Sequence, residues 1–283
     1  MPFLNTPPAA PPQRIVSLCP SVTETVHALG AWARLVGRTR YCVHPRGLVQ
    51  SVPHVRGTKN PDLTRLMELA PDLVVAVKEE NRLEDIEELV LSGVPLLLLD
   101  PNSIEEAVDA VRELGDALDC PIQGELLARR IRSVAQTAAK VSDSRPRVVY
   151  LIWSDPLMAV GGGTFIHSML EAGGLHDVLG DRVRYPSLTA SDITELDPAA
   201  VLLSSEPFPF KEHHRTELAQ ATGLPVDRFH LVDGELLSWH GARTTRGLRY
   251  SANLAAMLRG DSPCFLDLDH SGESESLGGP PTG

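Results

Sequence analysis

The sequence predicts an α/β protein of two Rossmann-like lobes, each carrying a parallel sheet, joined by a single long helix. Three observations lead there. Amphipathic helical stretches alternate with strands that are apolar on both faces, the pattern of a parallel sheet covered by helices. One uninterrupted helical stretch near the middle of the chain divides that alternation in two. The 283 residues exceed one ordinary small domain and fall short of three.

In order along the chain, residues 1–13 form a Pro-rich leader, expected to be disordered. The first lobe is assigned to residues 14–120. It opens with RIVSLCPS (14–21), a β-branched run ending in a Pro turn, followed by TETVHALGAW (23–32) with helical spacing and Gly30 near its close. ARLVGRT, PDLTRLMELAPDLVVAV (61–77), NRLEDIEELVLSG (81–93) and VPLLLLD (94–100) continue the alternation. SIEEAVDAVRELGDAL (103–118) adds a helix whose Ser103 and Glu106 are spaced for a capping box. The linker helix, residues 121–144, carries apolar side chains at Leu126, Leu127, Ile131, Val134, Ala138 and Val141 and would span roughly 30 Å. The second lobe, residues 145–259, restarts with RPRVVYLIW (145–153) and continues through GGGTFIHSMLEAGG (161–174), SDITELDPAAVLLSS (191–205) and the closing helix GLRYSANLAAML (247–258). An internal echo, NPDLTRLMELAPDLVVA (60–76) against TASDITELDPAAVLL (189–203), supports two related lobes. Residues 260–283 are rich in Gly, Ser, Pro and acids and are expected to be a disordered acidic tail.

Composition excludes several classes of function. A formal charge of −11 argues against nucleic-acid or anionic-membrane partners. No apolar run approaches the roughly 20 residues of a membrane span; the longest, around Val94 to Leu99, is interrupted by Pro95 and reads as a buried strand. The leader has no basic segment followed by an apolar one, so a cytoplasmic location is expected, with a periplasmic or other extracytoplasmic one as the alternative should the start lie upstream. Cys19, Cys42, Cys120 and Cys264 show no CxxC spacing, which suits a reducing compartment. GxSxG, HExxH and GxxxxGK[ST] are absent from the sequence. GGGT (161–164) has neither a neighbouring Lys nor a ribose-binding acid, so it reads as a turn and helix cap rather than a phosphate cradle. The expectation is a binding protein without a catalytic cofactor, an enzyme on a Rossmann-like scaffold being the rival. His213 and His214 have no partners at zinc spacing and read as a solvated helix start.

RIVSLCPSVTETVHALG, VGRTRYCVHP, VRGTKNPDLTRLMELAPDLVVA, WSDPLMAVGGGTFIHSMLEAGG and YPSLTASDITELDPAAVLL together resemble the periplasmic receptors for cobalamin and ferric siderophores, in order over about residues 14–258. The resemblance implies the class III periplasmic-binding-protein fold, with a ligand held between the lobes by aromatic side chains on loops that follow strands. It places those aromatics at Tyr41, Trp153, Tyr185 and Trp239, in a chain with only three Trp and four Tyr. A corrinoid suits such a cleft, because a macrocycle offers apolar faces for stacking and a rim of amides. Cys19, Pro20, Ser21, Thr58 and His240 join as contacts by loop position, and Arg246 falls on a family arginine. No metal site is expected; His44 and His240 are the weak candidates. The implied ligand is cobalamin or a related corrinoid, with ferric siderophore, haem or a divalent metal as alternatives, and the protein is expected to be a monomer.

Receptors of this kind dock on an ABC permease through one glutamate at the tip of each lobe. The two halves of the repeat place those positions at Thr64 and Ser191, which carry no charge, with Asp62 and Asp192 as neighbouring substitutes. Losing a charge pair on each side should weaken docking. The expectation is a receptor-like binder no longer coupled to import, with the importer's substrate-binding component as the alternative.

Overall fold

The computed structural model describes residues 3–139 and 144–265. The chain runs β1 (Ile15–Ser17), α1 (Pro20–Ala28), β2 (Leu35–Arg38), α2 (Leu63–Glu68), β3 (Leu73–Val77), α3 (Leu83–Leu91), β4 (Leu96–Leu99), α4 (Ile104–Ala117) and α5 (Pro121–Ala138). After α5 follow β5 (Arg147–Ser154), β6 (Leu157–Ala159), α6 (Phe165–Ala172), β7 (His176–Asp177), β8 (Ser187–Leu188), α7 (Ala190–Leu196), β9 (Ala200–Ser204), α8 (Glu212–Thr222), β10 (Phe229–Val232), α9 (Gly234–Ser238) and α10 (Thr244–Arg259).

The first sheet has the order β2-β1-β3-β4, and its three pairings are parallel. All five residues of β3 are buried, as a strand covered on both faces requires. The second sheet has the order β10-β9-β5-β6-β8, with β7 also against β5. Its β5, β7, β9 and β10 pairings are parallel, whereas β6 and β8 add antiparallel pairings that the sequence pattern does not signal. Strands of two and three residues are too short to show alternation.

α5 begins on Pro121, whose missing N–H costs nothing at a first helical position. Its 18 residues extend about 27 Å. It crosses α4 where Gly115 faces Gly124: a Cβ on Gly115 would stand 2.9 Å from the Gly124 Cα, so only glycine permits that approach. Leu126, expected on the apolar stripe, is 49% exposed. Val141 lies outside the described residues, as does the tail beyond Phe265.

Residues 3–13 depart from the expected disorder. Phe3 pairs antiparallel with Leu97, the Leu4 N–H donates to the Leu96 carbonyl at 3.0 Å, and the Asn5 amide donates to Val94 and accepts from Leu96. The leader satisfies backbone groups along the edge strand β4, which composition alone does not reveal. Ser103 caps α4 by accepting from the Glu106 N–H, while the Glu106 carboxylate reaches Asn102 rather than Ser103. The box is therefore displaced by one residue.

The two halves share a core. Val22, Leu99, Val108 and Ile131 belong to the same buried cluster as Phe165, Met169 and Leu248 from the second half. The segment between α9 and α10 lies on α1, where the Ala242 N–H donates to the Thr25 hydroxyl at 3.0 Å. Gly241 makes that seating possible: its φ is +82° and a Cβ there would lie 2.1 Å from the Thr25 Oγ1.

Candidate functional site

Parallel sheets present their carboxyl ends as a crevice where loops collect. On the first sheet these loops follow β1 (Cys19 to Ser21), β2 (Thr39 to His44) and β3 (Lys78 to Asn81). On the second they are the end of β5, where Trp153 is the last residue but one, the loop after β9 (Ser205 to Phe208) and the segment after β10 that carries α9 and ends at Trp239. Asn81 organises the first set. It is 5% exposed, donates to the Leu18 and Thr58 carbonyls and accepts from the Val77 N–H. The sequence reading counted Asn81 as part of a helix, but α3 begins two residues later.

Tyr41 and Trp153 are open to solvent, at 49% and 40% exposure. The Arg40 guanidinium covers Tyr41 at 4.9 Å, and Trp153 meets Phe208 edge-on at 5.7 Å. Tyr185 is half-buried and donates its hydroxyl to Glu79 of the other lobe. The same Glu79 oxygen takes Arg184 at 2.7 Å, so one carboxylate bridges two sheets. Burial and the Glu79 charge push the Tyr185 phenol up.

Trp239 departs from the expectation of an open stacking face, being only 8% exposed. Arg243 lies over its ring at 4.7 Å, His44 meets it edge-on at 5.7 Å, and its indole N–H donates to Glu206 at 2.7 Å. It braces the seam between the lobes. Cys19, Pro20, Ser21 and Thr58, expected as contacts, are buried. Burial raises the Cys19 thiol far above its usual range, which keeps it protonated. Arg246, in the first turn of α10, is half-buried and already engaged.

The two candidate metal histidines are occupied by the fold. His44 contacts Glu235 at 3.0 Å. His240 sits 3.2 Å from the Ser21 hydroxyl, and burial lowers it to about 4, so it is a neutral packing imidazole at pH 7. Among the described residues one group of three metal-binding side chains does assemble, His213, His214 and Glu217, within 4.8 Å. The reading of His213 and His214 as unpartnered missed Glu217, which lies three and four residues on along α8. However, His214 Nδ1 accepts the Lys211 N–H at 2.9 Å. Its neutral form then carries the proton on Nε2, which has no lone pair left for a cation.

Sequence reasoning also missed the carboxylates that meet between the lobes. Glu79 and Glu80 follow β3, Glu206 follows β9, and Glu235 lies in α9. Burial, with the Glu79 charge, raises Glu80 against the pull of Lys59. Burial likewise raises Glu206, helped by Glu235 and Glu80 and opposed by hydrogen bonds from Ser238 and Trp239. For Glu235 burial acts upward, yet the His44 bond and Arg243 outweigh it and hold the carboxyl low. Beneath them Arg243 forks onto Glu24 at 2.7 and 3.2 Å and reaches Glu235 at 3.2 Å.

At the outer ends, Thr64 and Ser191 are each the second residue of their helices, α2 and α7, and both are exposed. Asp62 caps α2 and pairs with Arg56 at 3.3 Å. Asp192 closes a capping box with Thr189, whose hydrogen bonds hold its carboxyl low.

A family model described as periplasmic binding protein matches residues 15–221. A vitamin B12-binding protein of Yersinia pestis (strain Pestoides F) is 26% identical over 204 residues, covering 71% of this chain and 72% of that one. The solved periplasmic vitamin B12 binding protein of Vibrio cholerae superposes with a TM-score of 0.75 at 19% identity, covering 88% of this chain and 98% of its own. The apo heme-binding protein of Roseiflexus sp. RS-1 gives 0.77 at 23% identity with the same coverage. The solved structures share the fold. The family description is periplasmic, and the expected cytoplasmic location gains no support from it. Among the described residues no helix is long and apolar enough to cross a membrane.

Proposed function

Since the chain belongs to the periplasmic binding protein family, we propose that it holds a corrinoid of the cobalamin type between its lobes, without turnover, as the substrate-binding component of an import system. The observation that carries this reading is the pair of solvent-exposed aromatics, Tyr41 on one lobe, with Arg40 over one face, and Trp153 on the other. Large aromatic surface left in water beside strand ends is surface kept for a flat partner. The B12-binding relative from Yersinia pestis supports the choice of ligand. Tyr185, fixed by Glu79, and Trp239, fixed by Glu206, frame the cleft and hold its loops in place. With no glutamate at Thr64 or Ser191, permease docking rests on Asp62 and Asp192, and we expect it to be weak.

Calorimetric titration with cyanocobalamin, dicyanocobinamide, haem and a ferric chelate tests the reading. Cyanocobalamin should bind one to one and quench tryptophan fluorescence, and Tyr41→Ala/Trp153→Ala should weaken it by about tenfold or more. Heat from haem or the chelate with none from either corrinoid would overturn the ligand assignment.

A further inference from the structure

We propose that Glu80 and Glu206 set the charge of the ligand that the cleft accepts, admitting neutral or cationic flat molecules and rejecting anionic ones. The inference rests on the cleft being the ligand site and names a selection rule for it.

The two residues come from opposite lobes, Glu80 three residues after β3 and Glu206 two residues after β9. Among the described residues Glu80 makes no side-chain hydrogen bond and no ion pair, although it is half-buried. Glu206 is bound by two neutral donors, the Ser238 hydroxyl at 2.6 Å and the Trp239 indole at 2.7 Å. Neither carboxylate touches a guanidinium or ammonium group. Of the nearby cations, Arg184 pairs with Glu79 and Arg243 with Glu24 and Glu235; the Lys59 ammonium donates to the Glu79 backbone carbonyl and reaches Glu80 only through its field. Glu79, the chain neighbour of Glu80, reaches Tyr185 and Arg184 of the second lobe, and Glu206 holds Trp239, which meets His44 of the first, so both acids flank the seam where the lobes meet.

An entering ligand therefore meets two acidic groups, neither in contact with a cation, Lys59 acting on Glu80 only from a distance. A macrocycle bearing propionates, or a chelate bearing catecholates, adds like charge in a partly desolvated place, where repulsion is stronger than in water. A corrinoid rim of carboxamides instead offers N–H donors to either carboxylate, and a Glu that takes up a proton can donate to an amide carbonyl. The same two residues that repel haem can thus hold an amide rim.

The test compares the wild-type protein, Glu80→Gln and Glu80→Gln/Glu206→Gln at pH 7.5 with three probes: cyanocobalamin, its monocarboxylate with one rim amide hydrolysed, and haem. Wild-type protein should prefer cyanocobalamin over the monocarboxylate by about tenfold or more, a ratio falling to about threefold or less in the double variant. Haem should bind the double variant about tenfold or more tightly than wild type. Glu80→Gln, which has no side-chain hydrogen bond to lose, should show the same direction with roughly half the logarithmic effect. Unchanged haem affinity and an unchanged acid-to-amide ratio in both variants would overturn the proposal, even if cyanocobalamin binds well. If no corrinoid binds but haem affinity still rises in the double variant, the charge rule stands and the corrinoid assignment falls.

Discussion

Arg243→Met is the sharpest perturbation of the seam between the lobes. The guanidinium is 4% exposed and its partner Glu24 is 7% exposed, so neither charge has water to fall back on. Arg243 meets Glu24 with two nitrogens, at 2.7 and 3.2 Å, and Glu235 with a third contact at 3.2 Å. Methionine keeps much of the aliphatic stem, which limits the packing loss. What it leaves is a buried Glu24 with no cation, and removing one partner of a buried pair costs about 3–5 kcal/mol. Against a typical total of about 5–15 kcal/mol that is a large share. In urea, with m near the upper end of the roughly 1–3 kcal/mol/M of small proteins, the midpoint should fall by about 1–1.7 M. Arg243→Met/Glu24→Leu removes both charges of the pair and should recover most of the loss, because well-packed apolar replacements of buried pairs are commonly neutral or stabilising. A single-variant cost below about 1 kcal/mol, or a double variant no better than the single, would refute the account of a buried clamp.

Gly241→Ala should cost about 2 kcal/mol or more in the same assay, since φ is +82° and the new Cβ would lie 2.1 Å from the Thr25 hydroxyl oxygen; a neutral effect would show that this segment does not depend on its seat on α1. Glu79→Ala should cost about 1–3 kcal/mol, discounted for the 43% exposure of Arg184. Glu79→Gln, which still accepts from Tyr185, should lose less, and equal losses in the two variants would remove the Tyr185 bond from the explanation. Because burial lowers His240 from 6.5 to about 4, the unfolded chain binds the proton first as pH falls. His240 therefore contributes stability above about pH 6.5 that is lost toward pH 4, by up to about 3 kcal/mol; His240→Gln should flatten that part of the stability profile in urea melts at stepped pH.

What the sequence discloses is what repeats locally. LVVAV is apolar at each position and AVLLS at all but its final Ser204, and they form β3 and β9 inside the two sheets. The echo between residues 60–76 and 189–203 becomes helix-then-strand in both halves, α2 with β3 and α7 with β9. The stretch from 206 to 246 carries no such signal. α8, with its run EHHRTELAQAT, buries only Leu218 and Thr222, too few apolar positions to mark a face. The site is less legible for a different reason. Glu24 finds Arg243 across 219 residues and His44 finds Glu235 across 191, and no period in the chain encodes such pairs. Glu79, Glu80 and Glu206 look like ordinary loop acids until the lobes enclose them. Trp239, chosen as an open face, shows the converse: an aromatic on a loop is exposed only if nothing packs on it, and Arg243 and His44 do.

The shared core constrains how this cleft selects a ligand. Phe165, Met169 and Leu248 pack with Val22, Leu99 and Val108, and Ile104 of the first half donates its N–H to Ser168 of the second at 3.0 Å. Opening the lobes widely would expose that apolar surface and separate Arg243 from Glu24, each costing several kcal/mol. The jaws therefore meet a ligand close to the geometry they already hold, which saves the ordering cost of closure. It also means that the lobes cannot draw apart to carry Glu80 and Glu206 away from an unwelcome charge. In a cleft free to open, two carboxylates without a contacting cation would be a weak filter; a cleft held by a buried ion pair and a continuous core keeps both in the ligand's path.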